Sequence, residues 1–176
     1  EQGPVLEDNN KTIGVVNGVL GIRWFDCTVT GMEAHAGPTP MALRKDALLA
    51  ATHIMQDVVA AAHRHPPHGR GTVGMVQVFP NSRNVIPGSV KFSIDLRNST
   101  DALVDKMADE VKAFAAKVAK EHRVDVKIEL VSSYSAIAFH PDCVDAVGRA
   151  AKKLGYSHMP AVSGAGHDAV YMAKLA

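Results

Sequence analysis

The sequence has little of what marks several protein classes. Its 176 residues include two cysteines, Cys27 and Cys143, which are too few for the disulfide framework of a small secreted domain. This low cysteine count favours a reducing compartment, so we expect a cytoplasmic protein. The apolar runs are interrupted by charged residues well before the roughly 20 residues that a membrane helix needs. A membrane partner is therefore not expected.

The sequence also lacks an excess of charge of either sign. Nineteen Lys and Arg residues stand against eighteen Asp and Glu residues, which gives a formal net charge of +1. No cluster of Lys and Arg forms the basic stripe that contacts phosphates, so no nucleic-acid partner is expected. Hydrophobic residues make up 47% of the chain and charged residues 21%, a composition typical of globular rather than disordered proteins.

Hydrophobic periodicity predicts four strands and two helices in the order βαββαβ. The strands are expected at 21–30, 73–79, 89–97 and 124–130, and the helices at about 40–64 and about 100–121. Thr39 and Pro40 have the residue types of an N-cap and a first helical residue. The order is typical of a split βαβ unit. We therefore expect an α+β fold, a ferredoxin-like domain whose four-stranded antiparallel sheet carries both helices on one face.

Two flanking segments do not fit this unit. Residues 1–18 precede it, and residues 134–176 follow it with a short helix at 141–154 that Gly155 ends. We therefore expect an inserted domain, residues 19–133, between two segments of a host domain. The chain has no initiator methionine and stops inside a predicted helix, so we expect a fragment of a longer protein.

Two histidines lie in loops that could present them to a ligand. His35 belongs to EAHAGPTP at 33–40, whose glycine and prolines favour a turn. A loop histidine without a role is nevertheless common, and spacing alone does not separate the two outcomes. His167 follows Gly-Ala-Gly at 164–166, small residues that let a backbone approach a ligand closely. Zinc sites need three or four ligands, and the sequence has no HxxxH, CxxC or HExxH spacing.

Asn84 and Arg97 are the other two candidates for ligand binding. Asn84 belongs to the turn-forming stretch NVIPG at 84–88, and a turn asparagine usually only shapes its turn. Arg97 is expected on the polar face of the third strand, near Asp95. An exposed ion pair with Asp95, worth about 0.5 kcal/mol, is the commoner fate of such an arginine. The alternative is a guanidinium that binds a substrate carboxylate through two parallel hydrogen bonds.

Five short motifs along the chain, taken in their order and spacing, match the pattern of one known family. They are EQGPVLE at 1–7, HAGPTPM at 35–41, NVIPG at 84–88, DLR at 95–97 and SGAGHDA at 163–169. Together they resemble the metal-dependent N-carbamoyl-L-amino acid hydrolases, which are related to allantoate amidohydrolase and β-ureidopropionase. This group is a branch of the dinuclear-metal aminoacylase and carboxypeptidase superfamily. The resemblance implies an α/β catalytic domain into which a ferredoxin-like lid, used for homodimerisation, is inserted.

The resemblance also implies a reaction and roles for individual residues. The complete enzyme would hydrolyse the carbamoyl C–N bond of N-carbamoyl-L-amino acids or related ureido acids. Two divalent ions, Zn, Mn, Co or Ni, would hold a bridging water, with a glutamate as general base. His167 is implied as a metal ligand, and Asn84 and Arg97 as the pair that binds the substrate carboxylate. His35 is implied as the oxyanion donor, commonly supplied by the partner subunit. Gln2 is implied as a further substrate contact.

The family's remaining metal ligands and its general base are absent from this chain. One ligand cannot hold a dinuclear site, so we expect the chain alone to bind no catalytic metal and to be inactive. Two other functions stay open: a ferredoxin-like dimerisation or binding module without catalysis, and a related metallopeptidase or aminoacylase. N-carbamoyl-α-amino acids, β-ureidopropionate and allantoate all stay open as substrates, because each combines a ureido group with a carboxylate.

Overall fold

The computed structural model describes residues 3–175, so Gln2 lies outside the described residues. The helices are α1 (Gly3–Asp8), α2 (Ala47–Arg64), α3 (Asp101–His122), α4 (Pro141–Lys153) and α5 (Asp168–Met172), with a 3₁₀ turn at Met41–Leu43. The strands are β1 (Ile13–Val19), β2 (Gly21–Thr30), β3 (Ala34–His35), β4 (Arg70–Thr72), β5 (Val76–Phe79), β6 (Val85–Ile86), β7 (Ser89–Asn98), β8 (Asp125–Tyr134), β9 (Ile137–Ala138) and β10 (His158–Ser163). Within this described part, no helix is long and apolar enough to cross a membrane.

The main sheet contains β2, β4, β5, β7 and β8, and every neighbouring pair is antiparallel. The spatial order is β4–β7–β2–β8, and β5 also pairs with β7. Strands β2 and β7 pair without interruption from Gly21 opposite Asn98 to Thr30 opposite Ser89. If β4 and β5 count as one interrupted strand, the order along the sheet is fourth, first, third, second. This is the order of a split βαβ unit, and the predicted α+β fold is confirmed.

Helices α2 and α3 pack against each other and against β2 and β7 to form the core. Alternate side chains of these strands are buried, as the apolar and polar alternation predicts. The strand residues of the core are Phe25, Cys27, Val29, Val90, Phe92, Ile94 and Leu96, and those of the helices include Ile54, Val58, Val104, Met107, Val111 and Val118. Burial raises the pKa of the Cys27 thiol to about 12, so Cys27 is a packing residue rather than a nucleophile. The opposite face of the sheet carries mostly polar side chains and is partly exposed, with Trp24 39% exposed on it.

The predicted start of the first long helix is wrong. Helix α2 begins at Ala47, and its N-cap is Asp46, whose carboxylate accepts hydrogen bonds from the Leu48 and Leu49 N–H groups at 3.0 Å each. Thr39 does not cap a helix because its hydroxyl donates to the His35 carbonyl at 2.7 Å. Residues 36–44 therefore form a loop between β3 and α2 that includes the 3₁₀ turn at Met41–Leu43. Helix α3, by contrast, begins as predicted, after its N-cap Thr100.

The predicted strand at 73–79 is also not continuous. It is replaced by β4 and β5, and the residues between them do not join the regular ladder with β7. The Met75 N–H donates to the hydroxyl of Ser93 at 3.1 Å, and the Ser93 N–H donates to the Met75 carbonyl at 3.1 Å. A side chain thus takes the place of one backbone acceptor at this point.

A second sheet, not predicted from the sequence, has the order β10–β1–β9. Strand β1 is parallel to β10, with Ile13 opposite His158, and antiparallel to β9. Helix α4 packs on β1. Leu20 connects β1 directly to β2, and its N–H donates to the Ser163 carbonyl at 3.0 Å. The end of β10 therefore lies next to the junction between the two sheets.

Candidate functional site

His35 and Asn84 are neighbours at the end of the main sheet where β2 stops and β7 starts. The short strands β3 and β6 pair with each other, with His35 opposite Val85. The next backbone contact is a hydrogen bond from the Ala36 N–H to the Asn84 carbonyl at 2.8 Å. Both His35 and Asn84 are exposed. The structure thus places these two predicted site residues side by side on the surface.

The imidazole of His35 is held by the backbone of its own turn. The Gly37 N–H donates to Nδ1 of His35 at 3.1 Å. Because Nδ1 accepts this hydrogen bond, the neutral ring carries its proton on Nε2, which becomes a hydrogen-bond donor. An exposed N–H donor held in a fixed turn is the kind of group that stabilises an oxyanion.

The side-chain amide of Asn84 is held by Ser82. The Ser82 hydroxyl donates to Oδ1 of Asn84 at 3.1 Å. Nδ2 of Asn84 donates to no group in the described part of the chain, so both of its N–H groups can bind a ligand carboxylate.

Arg97 lies at the opposite end of β7, next to Ile22 of β2. Its Nε and Nη2 donate to Oδ1 and Oδ2 of Asp95 at 3.0 and 2.6 Å, and its Nη1 donates to the Gly164 carbonyl at 2.6 Å. The hydrogen bonds with Asp95 raise the pKa of Arg97. These contacts occupy three of the five N–H groups of the guanidinium. Arg97 therefore forms the ion pair with Asp95, which orients the guanidinium and leaves two of its N–H groups available for a ligand.

His167 follows the loop that Arg97 holds. It directly precedes α5, and its ring packs edge-on against Phe139 with the ring centroids 5.7 Å apart. Among residues 3–175, no group of three or more His, Cys, Asp or Glu residues lies close enough together to hold a metal ion. A zinc site needs three or four protein ligands. The two divalent ions implied by the resemblance therefore do not fit the described residues taken alone.

The predicted site residues form two pairs rather than one cluster. His35 and Asn84 lie beyond the Ser89 end of β7, whereas Arg97 and the loop to His167 lie at the other end. At about 3.3 Å per residue, Ser89 and Arg97 are roughly 26 Å apart along the strand. A ureido acid is much shorter than this distance. Within one chain, Asn84 and Arg97 therefore cannot contact the same small carboxylate.

Sequence reasoning missed one residue of this region, Arg44. Its guanidinium donates to the carbonyls of Ala36 and Thr39 at 2.7 and 3.1 Å, which are both in the turn that carries His35. Because the helix was expected to start at Pro40, Arg44 was placed inside it, and its hydrogen bonds to the turn were not predicted. The Asp that follows two residues later, at position 46, was the available sign of the true helix start.

Comparisons with known proteins agree with this architecture. Residues 17–123 match the family described as the peptidase dimerisation domain. The N-carbamoyl-L-amino-acid amidohydrolase of Rhizobium meliloti is 46% identical over 176 residues, which are 100% of this chain and 42% of that protein. The allantoate amidohydrolase of Escherichia coli (strain K12) is 32% identical over 169 residues, 96% of this chain and 41% of that protein.

Solved structures give the same result. The crystal structure of an amidase of the hydantoinase/carbamoylase family from Burkholderia multivorans superimposes with a TM-score of 0.96 at 49% identity, over 99% of this chain and 42% of that one. The chain thus spans less than half the length of these relatives. The chain belongs to the peptidase dimerisation domain family, and its similarity to amidohydrolases over its whole length confirms the resemblance carried by its five motifs.

Proposed function

We propose that this chain is the lid-bearing part of an amidohydrolase that cleaves the carbamoyl C–N bond of N-carbamoyl-L-amino acids. The lid is residues 19–133, and residues 1–18 and 134–176 belong to the catalytic domain. The similarity to amidohydrolases over the whole chain supports this function. The single observation that carries it is the position of Arg97, which Asp95 and Gly164 hold at the loop that leads to His167.

Arg97 and Asn84 bind the substrate carboxylate in this proposal. A guanidinium that Asp95 already orients loses little conformational freedom when it binds a carboxylate. The amide of Asn84 adds N–H donors to the same negatively charged group. His35 donates its Nε2–H to the carbamoyl oxygen as negative charge develops there.

A second copy of the chain completes the site. The carboxylate cannot reach both pairs within one chain, because they lie at opposite ends of β7. We therefore propose a homodimer in which His35 and Asn84 of one copy meet Arg97 and His167 of the other. The match to a dimerisation domain supports this arrangement. The outer edge of β5, where Val76 and Phe79 are 47% and 52% exposed, pairs with no other strand of residues 3–175, and a second copy could cover it.

His167 is proposed as one ligand of the metal ions in the complete protein. Since the described residues include no group of three or more His, Cys, Asp or Glu close enough together to hold a metal ion, ligation depends on residues outside them. We expect the 176-residue chain alone to bind no stoichiometric divalent metal and to be inactive, and both can be measured by metal analysis and assay of the purified chain. Stoichiometric metal retained by the wild-type chain and lost from His167→Ala would contradict this expectation.

The substitution Arg97→Lys in the complete protein tests the proposed function. The lysine keeps the charge but cannot form two parallel hydrogen bonds. We expect KM for an N-carbamoyl-L-amino acid to rise by roughly 10- to 100-fold, with less than about a twofold change for the matching N-carbamoyl amine, which has no carboxylate. Parallel assays with β-ureidopropionate and allantoate identify the preferred ureido acid.

Lys91 provides the matched control for Arg97. It lies on the same polar face of β7 and forms an ion pair with Asp26 at 3.0 Å, but far from the Arg97 end. Lys91→Gln should leave kcat and KM unchanged for both substrates. If Arg97→Lys lowers kcat/KM by the same factor for the N-carbamoyl-L-amino acid and for the N-carbamoyl amine, Arg97 acts through its pairing with Asp95 and not on the carboxylate. If the complete protein hydrolyses none of the three ureido acids, a dimerisation or binding module without catalysis becomes the better function.

A further inference from the structure

We propose that Arg44 is a positioning residue that holds His35 in the orientation needed to donate from Nε2. This inference rests on the proposed role of His35. Arg44 lies outside all five motifs of the resemblance and nine residues from His35. Four hydrogen bonds within one turn, the turn that follows His35, support the inference.

The first two hydrogen bonds are those of Arg44 itself. Nη2 donates to the Ala36 carbonyl at 2.7 Å, and Nε donates to the Thr39 carbonyl at 3.1 Å. The two carbonyls lie three residues apart, and one planar guanidinium joins them. Since the guanidinium is rigid, these two bonds fix the distance between both ends of the turn.

The other two hydrogen bonds connect this turn to the histidine. The Thr39 hydroxyl donates to the His35 carbonyl at 2.7 Å, and the Gly37 N–H donates to His35 Nδ1 at 3.1 Å. Thr39 and Gly37 both lie within the segment that Arg44 closes. Any widening of the turn therefore weakens the contact that selects the Nε2–H form of the ring.

Arg44 is in turn anchored to the core through α3. Nη2 of Arg123, the C-cap residue of α3, donates to the carbonyls of Ala42 and Arg44 at 2.7 and 3.0 Å. Arg123 has a φ of 56°, a left-handed conformation that ends the helix and directs the chain away. The loop that carries His35 is thereby attached to a helix packed in the hydrophobic core.

The bonding of Arg44 points to positioning rather than to an ion pair. No carboxylate of residues 3–175 lies within salt-bridge distance of its guanidinium. The described hydrogen bonds of its side chain go to backbone carbonyls of one exposed loop. A residue used in this way determines the shape of the loop, and His35 is the ionisable side chain that this loop presents.

The decisive experiment is a double-mutant cycle in the complete enzyme. Arg44→Ala should lower kcat by roughly 10- to 100-fold, as a small displacement of a catalytic group does, and change KM by less than about twofold. In a His35→Ala background, Arg44→Ala should lower kcat by less than about twofold, because its effect passes through His35. Lys45→Ala is the matched control, since it removes an adjacent exposed positive charge and leaves the turn intact; it should keep wild-type kcat.

The outcomes separate this inference from the proposed function. If His35→Ala leaves kcat unchanged, the role of His35 is wrong. If His35→Ala lowers kcat but Arg44→Ala lowers it further by the same factor in both backgrounds, Arg44 does not act through His35. Should Arg44→Ala fold poorly, Arg44→Lys, which has no fork to join two carbonyls, should show the same loss confined to kcat; wild-type kcat in Arg44→Lys would overturn the inference.

A spectroscopic measurement on the 176-residue chain tests the same inference without activity. The ¹⁵N shifts of the His35 imidazole should identify Nε2 as the protonated nitrogen in the wild-type chain. Arg44→Ala should shift the ring toward a mixture of both tautomers, and Lys45→Ala should not. Identical tautomer populations in wild type and Arg44→Ala would overturn the positioning role, whatever the role of His35.

Discussion

At the scale of single residues, local hydrogen bonds decide what the candidate side chains can do. His35 lies on an exposed loop, yet its Nδ1 accepts from the Gly37 N–H, so its donor is Nε2. Arg97 lies on a polar strand face, yet Asp95 and Gly164 hold its guanidinium. Neither contact is encoded by residue type alone. These hydrogen bonds fix the donor of His35 and the orientation of the Arg97 guanidinium, which is what suits the two side chains to bind a ligand.

The role of His35 predicts a specific loss of turnover. In the complete protein, His35→Ala should lower kcat by roughly 10²- to 10³-fold, the usual effect of removing one oxyanion donor. The metal content should not change, because the described residues around His35 include no metal cluster. Steady-state kinetics and metal analysis of the same preparation check both statements. A change in KM alone, with kcat preserved, would instead make His35 a substrate-binding residue.

At the scale of elements, the start of α2 determines which residues are free to form the loop at 36–44, which directly follows His35. Asp46 caps α2 by accepting from two backbone N–H groups at 3.0 Å. Asp46→Ala should therefore destabilise the chain by about 1 kcal/mol, whereas Asp46→Asn should cost only a few tenths, since both residues cap well. Urea unfolding at neutral pH measures both variants. Equal stability of Asp46→Ala and wild type would show that this cap does not stabilise α2.

Arg64 and His65, at the end of α2, form ion pairs with Glu110 of α3. These contacts lead us to expect that the stability of the fold depends on pH. Burial acts to raise the pKa of Glu110, but the hydrogen bonds from His65 and Arg64 outweigh it and hold that pKa below its usual value. A carboxyl whose pKa is lowered in the folded state stabilises the fold above its unfolded pKa of about 4.3. This stabilisation is lost as the pH falls through the folded pKa.

Glu110→Gln isolates this contribution. Between about pH 6 and pH 3, the wild-type chain should lose more unfolding free energy than Glu110→Gln, because only the wild type has this carboxylate to protonate. Urea unfolding at a series of pH values gives both curves. Parallel curves over that range would show that Glu110 does not contribute to the pH dependence of stability.

The sequence was sufficient for the elements whose signals are local. The alternation in β7 and the apolar stripe and Thr100 cap of α3 predicted those elements within a residue or two. The start of α2 was misplaced because Thr39 and Pro40 have the composition of a helix start, while the Thr39 hydroxyl is used by His35. Strands β1 and β10 were missed because their pairing joins residues more than 140 positions apart, which no local pattern encodes.

At the scale of the whole molecule, the candidate site is divided between the two ends of one strand. The sequence motifs supplied the candidate residues, but the resemblance alone could not show that Asn84 belongs with His35 and Arg97 with the loop to His167. That division follows from the length of β7. It is also the reason for a two-chain site, and we expect the 176-residue chain to sediment as a dimer at tens of micromolar; a monomer at that concentration would count against the proposed lid interface.

Mixing of subunits tests the two-chain site most directly. In the complete protein, His35→Ala and Arg97→Ala should each be nearly inactive as homodimers. After subunit exchange in equal amounts, half of the dimers are mixed, and each mixed dimer has one site with both residues intact. Activity should therefore recover to about a quarter of the wild-type value. No recovery, in a mixture shown by mass spectrometry to contain mixed dimers, would contradict the account, because sites built within one chain stay defective in every dimer.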